Sequence, residues 1–162
     1  MLDKYDFIKS KTKVREELIP QLCIWRFKKK KIVFTNGCFD ILHRGHIEYL
    51  SKSANLGDIF IIGLNSDDSV KKLKGDSRPV QDEETRAVIL SALHYVDSVV
   101  IFDEETPAQL IELIKPDILV KGSDYQPDEI AGADIVVENG GEVITMEIVQ
   151  GFSTTNILNK LI

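Results

Sequence analysis

The chain has few of the residues that would staple it or carry it across a membrane. Only two cysteines occur among its 162 residues, Cys23 and Cys38, and neither stands in a Cys-x-x-Cys or other metal-type spacing. Both are read as reduced thiols, Cys38 as a small residue beside a loop. The longest wholly apolar run, residues 59–64, falls far short of the roughly 20 residues that a bilayer crossing needs. Asp3, Asp6, Glu16 and Glu17 interrupt the first thirty residues, which lack the apolar stretch of a signal peptide. A cytoplasmic protein without membrane contact is expected. The Gly-x-Gly-x-x-Gly fingerprint is absent after the first strong strand, which counts against a dinucleotide oxidoreductase. Low-complexity segments and internal repeats are also absent.

What is present is an ordinary globular composition, 43% hydrophobic and 28% charged, at a length that fits one core. The net charge of −6 is divided unevenly, with 10 Lys+Arg against 4 Asp+Glu in residues 1–31 and 10 against 22 thereafter. A basic segment ending in Lys28-Lys29-Lys30-Lys31 suggests a nucleic-acid patch. Val14, Leu18, Leu22 and Trp25 recur there at near-helical spacing, however, which favours a helix packed on the domain with solvated lysines outside. The expected organisation is a basic helical extension over 1–30 and one domain over 31–162, with no nucleic-acid partner.

Beyond residue 31, short apolar strands alternate with amphipathic helices, which predicts an α/β fold: a Rossmann-like, doubly wound, mostly parallel sheet flanked by helices. Strands are expected at 32–35, 59–64, 98–102 and 117–120. A helix over 45–55 buries Ile47, Leu50 and Ala54, and Asn65-Ser66-Asp67-Asp68 caps the next helical turn. A helix over 82–93 places Thr85, Ile89 and Ala92 inward and Glu84 and Arg86 in solvent. Thr106-Pro107 supplies a cap and a first-turn proline for a helix ending at Lys115. Residues 135–137 and 142–148 are expected as strands joined by the Asn139-Gly140-Gly141 turn. Ser153-Thr154-Thr155 then caps a last helix running through Leu161.

The chemistry-bearing residues fall at the carboxyl ends of these strands, where doubly wound sheets bind ligands. Two of the three histidines, His43 and His46, lie three apart at the start of one helix, beside its partly positive end. That is an anion site with two side-chain donors, and Gly45 between them lets a phosphate approach the backbone. Two histidines without nearby cysteine or glutamate are too few for a zinc site, so no metal ligands are assigned.

TNGCFDILHRGH at 35–46 resembles the signature of the HxGH nucleotidyltransferases, which include glycerol-3-phosphate and phosphocholine cytidylyltransferases and pantetheine-phosphate adenylyltransferase. The chain is most similar to the heptose 1-phosphate adenylyltransferases of lipopolysaccharide precursor synthesis. The resemblance covers roughly residues 31–160 and includes GLNSDDSVKKLKG at 63–75, RPV at 78–80, ETRA at 84–87, LVKGSDY at 119–125 and GFSTTNIL at 151–158. Departures are Ser123 where the pattern more often has glycine and Phe152 where a small residue is commoner. Val149-Gln150-Gly151 stands where the glycerol-3-phosphate cytidylyltransferases carry an Arg-Thr-Glu-like approach, which disfavours that reading.

The resemblance implies attack of a sugar 1-phosphate on the α-phosphorus of ATP, giving ADP-heptose and pyrophosphate. It implies catalytic roles for His43, His46 and Lys74. Thr35, Asn36, Gly37, Cys38, Phe39, Gly45, Ser153, Thr154 and Thr155 would bind the nucleotide. Asp40, Lys71, Arg78, Lys121 and Asp124 would bind the acceptor, Asp40 and Asp124 fitting equally a hydroxyl-orienting and a turn-capping role. Mg²⁺ would arrive with ATP, the chain would form a homodimer, and a separate heptose kinase would act upstream. The competing expectations are a cytidylyltransferase acting on glycerol 3-phosphate and a nucleotide-binding module without catalysis.

Overall fold

The computed structural model describes residues 3–123, 130–147, 151–152, 154–158 and 160, with the side chains of 155 and 156 left aside. Its centre is a six-stranded parallel sheet in the order β1-β4-β3-β2-β5-β6. The strands are β1 (Thr12–Lys13), β2 (Ile32–Gly37), β3 (Ile59–Asn65), β4 (Ser98–Phe102), β5 (Ile118–Gly122) and β6 (Glu142–Met146). The chain enters at one edge with β1, moves to the middle of the sheet for β2, winds outward through β3 to β4 beside β1, and returns to the other side for β5 and β6. This is the doubly wound fold expected, with its reversal between β2 and β5.

Because helices cover both faces, the four central strands β2 to β5 are mostly apolar, buried runs whose alternate residues serve two cores. Phe34, Ile61 and Leu119 face α2 (Arg15–Phe27) and α6 (Ala108–Ile114), where Leu18, Leu22, Leu110 and Ile114 pack. Val33, Phe60, Ile62 and Val120 face α3 (Arg44–Ala54) and α5 (Glu83–Ser91), meeting Leu50, Ala87 and Leu90. A buried side chain such as Leu50, fully enclosed, contributes roughly 1.5–3 kcal/mol through this burial. Leu18 and Leu22 sit inward on α2 as their spacing predicts, while Val14 becomes its exposed N-cap. Short α1 (Lys4–Lys9) precedes β1, and α4 (Asp67–Lys74) is capped by Ser66, whose hydroxyl accepts from the Ser69 amide.

Several local expectations are corrected. Residues 135–137 are not a strand but belong to helix α7 (Ala133–Glu138). β5 and β6 are parallel, and parallel neighbours need a crossover rather than a tight turn, so topology overrides the β preference of Ile135, Val136 and Val137. Asn139-Gly140-Gly141 closes that helix instead of a hairpin, with Gly140 at φ 81. α5 is turned by about one residue from its expected phase. Arg86, Ala87, Leu90 and Ser91 are its buried residues, while Thr85 and Ala92 are exposed. In α3, Leu50 and Ser53 point inward and Ile47 remains 37% exposed. Pro107 is the N-cap of α6 and makes no side-chain cap bond, so Thr106 does not cap this helix. The last helix, α8, is described over Thr154–Leu158; Ser153 and residue 161 lie outside the described residues.

Candidate active site

The site forms where β2 ends and α3 begins. Phe39 turns the chain there in the left-handed region, φ 43, and Gly37 leaves room for it, since a Cβ at 37 would stand 3.0 Å from the Phe39 ring. His43 is the N-cap of α3, and its Nδ1 accepts a long 3.4 Å hydrogen bond from the His46 amide. In a neutral imidazole this places the proton on Nε2, away from the helix. The two rings stack with centroids 3.8 Å apart and 18° between planes, and Phe39 meets His46 edge-on at 5.5 Å. The histidines therefore share one face, as their spacing predicts.

Burial pushes the His46 imidazole down to about 4, reinforced by the neighbouring His43 and by the Lys74 charge, while a hydrogen bond with the Ile41 backbone works the other way. Burial also lowers His43. Both rings are thus neutral near pH 7. Among the described residues, the buried side-chain polar atoms without a hydrogen-bond partner are His46 Nδ1 and Asn36 Oδ1. Such atoms are rare in folded proteins and cluster where a ligand completes the bonding. Gly45 keeps the approach open, because a Cβ there would lie 3.1 Å from both His43 Nδ1 and Phe152 Cβ. Phe152 stands 6.3 Å from the His43 ring, and the Arg44 guanidinium lies 5.8 Å from the Phe152 centroid.

A second layer fixes the loops. Asp40 is 2% exposed, and its carboxylate accepts from Arg78 Nε at 2.5 Å and from the Val80 and Gln81 amides at 2.7 and 3.2 Å. It thereby holds the 78–81 segment against the end of β2. Arg86 is 1% exposed and donates to the carbonyls of Gln81, Cys38 and Asn65 and to the Asp67 carboxylate. One guanidinium thus ties together the ends of β2 and β3, the start of α4 and the segment before α5. The sequence reading placed Arg86 in solvent. The signals that could have found it are the carbonyl-rich strand ends and Asp67, which need a multidentate donor nearby.

The remaining candidates are distributed as follows. Lys74 is exposed at the end of α4, and its charge reaches both His46 and Cys38. Burial raises the Cys38 thiol, so it stays protonated. Lys71 pairs with Asp68 at 3.5 Å on the surface. Lys121 is buried in β5 at the reversal point of the sheet. Thr35 is fully buried, its hydroxyl 2.8 Å from the Tyr49 hydroxyl and 3.0 Å from the Val120 carbonyl, and so joins α3 to β2 and β5. Thr154 Oγ1 donates to the Ile41 carbonyl at 3.5 Å, bringing the start of α8 to the start of α3. Asp124 and Ser153 lie outside the described residues, as does the Thr155 side chain. Among the described residues no group of three or more His, Cys, Asp or Glu is placed to hold a metal ion. None of the helices there is long and apolar enough to cross a membrane.

The model of the cytidylyltransferase-like family matches residues 34–160. The bifunctional protein HldE of Campylobacter jejuni subsp. doylei is 55% identical over 159 residues, which is 98% of this chain and 33% of that protein. HldE of Syntrophotalea carbinolica is 51% identical over 153 residues, 94% of this chain and 31% of that protein. The chain therefore spans about a third of the length of these relatives. A solved lipopolysaccharide core biosynthesis protein from Thermoplasma volcanium superposes with a TM-score of 0.59 at 30% identity, covering 74% of this chain and 97% of the other. Pantoate-beta-alanine ligase from Francisella tularensis gives the same TM-score of 0.59 at 18% identity, over 86% of this chain and 70% of the other, which is a likeness of fold.

Proposed function

The chain belongs to the cytidylyltransferase-like family, and from that premise we propose that it transfers AMP from ATP to D-glycero-β-D-manno-heptose 1-phosphate, releasing pyrophosphate and ADP-heptose. The observation that carries this reading is the stacked His43–His46 pair at the start of α3, with His46 Nδ1 buried and unpartnered. The names of the relatives, HldE and a lipopolysaccharide core biosynthesis protein, support the acceptor class.

The acceptor phosphate is already ionised near neutral pH, its second pKa being about 6, so the nucleophile needs no general base. Its oxygen attacks the α-phosphorus in line. The new P–O bond forms as the bond to the bridging oxygen breaks, and pyrophosphate leaves with the electron pair. What the protein must supply is alignment and charge neutralisation between two polyanions. His43 and His46 serve the α-phosphate together with amides of 36–39, and a polyphosphate beside them would raise their affinity for protons. Lys74 neutralises charge on the triphosphate, and Arg78, steadied by Asp40, meets the acceptor phosphate. Ser153, Thr154 and Thr155 serve the β- and γ-phosphates. Lys121, Lys71 and Asp124 complete the acceptor side. Mg²⁺ enters as part of the ATP substrate, held by phosphates and water. We assign the transferase unit to 31–162, with 1–30 docked on it, in the cytoplasm. On this reading a separate heptose kinase acts upstream to supply the sugar phosphate.

The test is pyrophosphate release with Mg²⁺, crossing ATP or CTP with the heptose 1-phosphate or glycerol 3-phosphate. Release with ATP and the heptose phosphate alone is expected. Release with CTP would replace the reading by a cytidylyltransferase, and silence in every pairing would overturn it.

A further inference from the structure

Of the two buried polar atoms without a partner among the described residues, the transferase reading employs one, His46 Nδ1. The other is Asn36 Oδ1, at the carboxyl end of β2. Side chains alternate along a strand, so Asn36 follows Phe34 onto the α2 and α6 face, whereas Thr35 meets Tyr49 of α3 on the opposite face. Its neighbour across the β2–β3 ladder is Gly63, where a Cβ would stand 3.1 Å from the Asn36 Cβ and 2.8 Å from the Phe34 ring. Glycine at 63 thus leaves room for the carboxamide. On the other side the sheet opens. β2 pairs with β3 over all of 32–37, but with β5 only at Val33 and Phe34 among the described residues. Asn36 therefore borders a gap at the reversal of strand order, where doubly wound sheets take their ligands. Lys121 stands across that gap in β5, buried and on the same face as Leu119.

What this atom can bind follows from its chemistry. A carboxamide oxygen only accepts hydrogen bonds. Near neutral pH the α-phosphate of ATP and an ionised phosphomonoester carry no proton on oxygen, so they too only accept. The phosphates cannot meet Oδ1, and a buried acceptor left unmet weakens binding, so the ligand must bring a hydroxyl or an amine. The amine of adenine lies at the opposite end of the nucleotide from the α-phosphate that residues 36–39 serve, which leaves a hydroxyl. We propose that Asn36 is a specificity-determining residue whose Oδ1 accepts a hydrogen bond from a substrate hydroxyl close to the reacting phosphates. The inference rests on the transferase reading and deepens it. The substrates straddle the end of β2, with the α-phosphate on the histidine side and the hydroxyl on the side of Asn36 and Lys121. Both the ribose of ATP and the acceptor carbon next to its phosphate offer such a hydroxyl.

The experiment has two arms, both read by calorimetry with Mg²⁺ present. In the nucleotide arm the wild-type chain is titrated with ATP, 2′-deoxy-ATP and 3′-deoxy-ATP. In the acceptor arm it is titrated, with α,β-methylene-ATP bound, with the heptose 1-phosphate and its 2-deoxy form. One deoxy ligand should bind roughly ten- to a hundredfold more weakly than its parent, and the arm in which it does so identifies the hydroxyl. In Asn36→Leu, close in size but without an acceptor, that ratio should fall to within about twofold; Asn36→Ala serves if the larger side chain does not fold. In Asn36→Asp, which keeps an acceptor oxygen, the ratio should persist although the added charge weakens both ligands. Equal affinities for parent and deoxy ligands in both arms of the wild type would overturn the proposal. So would a ratio that survives Asn36→Leu, or one that collapses in Asn36→Asp, the mark of a carboxamide that donates to phosphate. Pyrophosphate release with the parent substrates separates the two conclusions. With release intact, these outcomes remove Asn36 and leave the transferase reading standing, whereas silence in every pairing removes both.

Discussion

Two groups of cations sit at opposite ends of the parallel sheet, and they behave in opposite ways. At the amino end, Lys28 to Lys31 crowd four charges into solvent, and the one ion pair they make among the described residues, Lys30 with Asp58 at 3.2 Å, has both side chains nearly half exposed. At the carboxyl end, Arg78 and Arg86 are only two charges, but Arg86 is almost wholly enclosed and bonds to the strand ends and the segments that surround the site. Charge that is dense in the sequence is weak in effect because water and salt screen it. Charge that is sparse but enclosed organises its surroundings, because each unmet donor or acceptor there is costly.

The largest expected effect tests the enclosed end. Arg86→Met keeps the stem but strands the Asp67 carboxylate and the carbonyls of Cys38, Asn65 and Gln81, and should lower stability by about 3–5 kcal/mol in urea denaturation. A loss under about 1 kcal/mol would mean that water replaces the guanidinium and that the contrast between the two ends is weaker than drawn. His46→Ala should reduce kcat roughly 10²–10³-fold with little change in the denaturation midpoint, the size of one lost donor to developing charge. An undiminished rate would remove His46 from the mechanism.

Asp40→Asn should lower kcat/KM roughly tenfold, as one charged hydrogen bond to Arg78 is weakened and the 78–81 segment loosens. If the effect falls wholly on ATP affinity, Arg78 serves the triphosphate rather than the acceptor. The pH dependence is smaller again. His46 in the fold titrates near 4 against 6.5 for the free side chain, so the native state resists a proton that the unfolded state accepts. The stability from this group is complete above pH 6.5 and lost as pH falls toward 4. Wild type should therefore lose on the order of 1 kcal/mol more than His46→Gln across that window; parallel stability curves would place His46 in a wetter setting. The smallest effect belongs to the exposed end. Lys30→Met should change neither kcat nor the denaturation midpoint at submicromolar protein, and a measurable loss of either would show that the lysine run has work at this end of the sheet.

Much of this molecule was legible in its sequence, for reasons that are local. Leu18 and Leu22 could be placed inward because helical spacing survives folding unchanged. The central strands β2 to β5 announced themselves because burial on both faces keeps them mostly apolar, whereas the two-residue β1 at Thr12–Lys13 carries no such signal. The His43–Gly45–His46 face followed from a spacing of three at a helix start. By contrast, residues 135–137 read as a strand since their β-branched side chains favour one, and only the parallel pairing of β5 with β6 required a helix there. Arg86 was assigned to solvent because phase within α5 is set by what the helix packs against, and that surface is assembled from residues 38, 65, 67 and 81. Its partners come from three separate stretches of chain.

The sequence by itself determined the period of the central strands and of the helices beside them, the position of the histidine pair and the family to which those blocks are similar, since these depend on near neighbours along the chain. The tertiary structure alone decided which polar groups are enclosed and which are met. Hydrogen-bond satisfaction and desolvation depend on atoms distant in sequence. Thus Asp40 holds Arg78, Arg86 joins residues 38, 65, 67 and 81, and His46 Nδ1 is left buried and unpartnered at the mouth of the site.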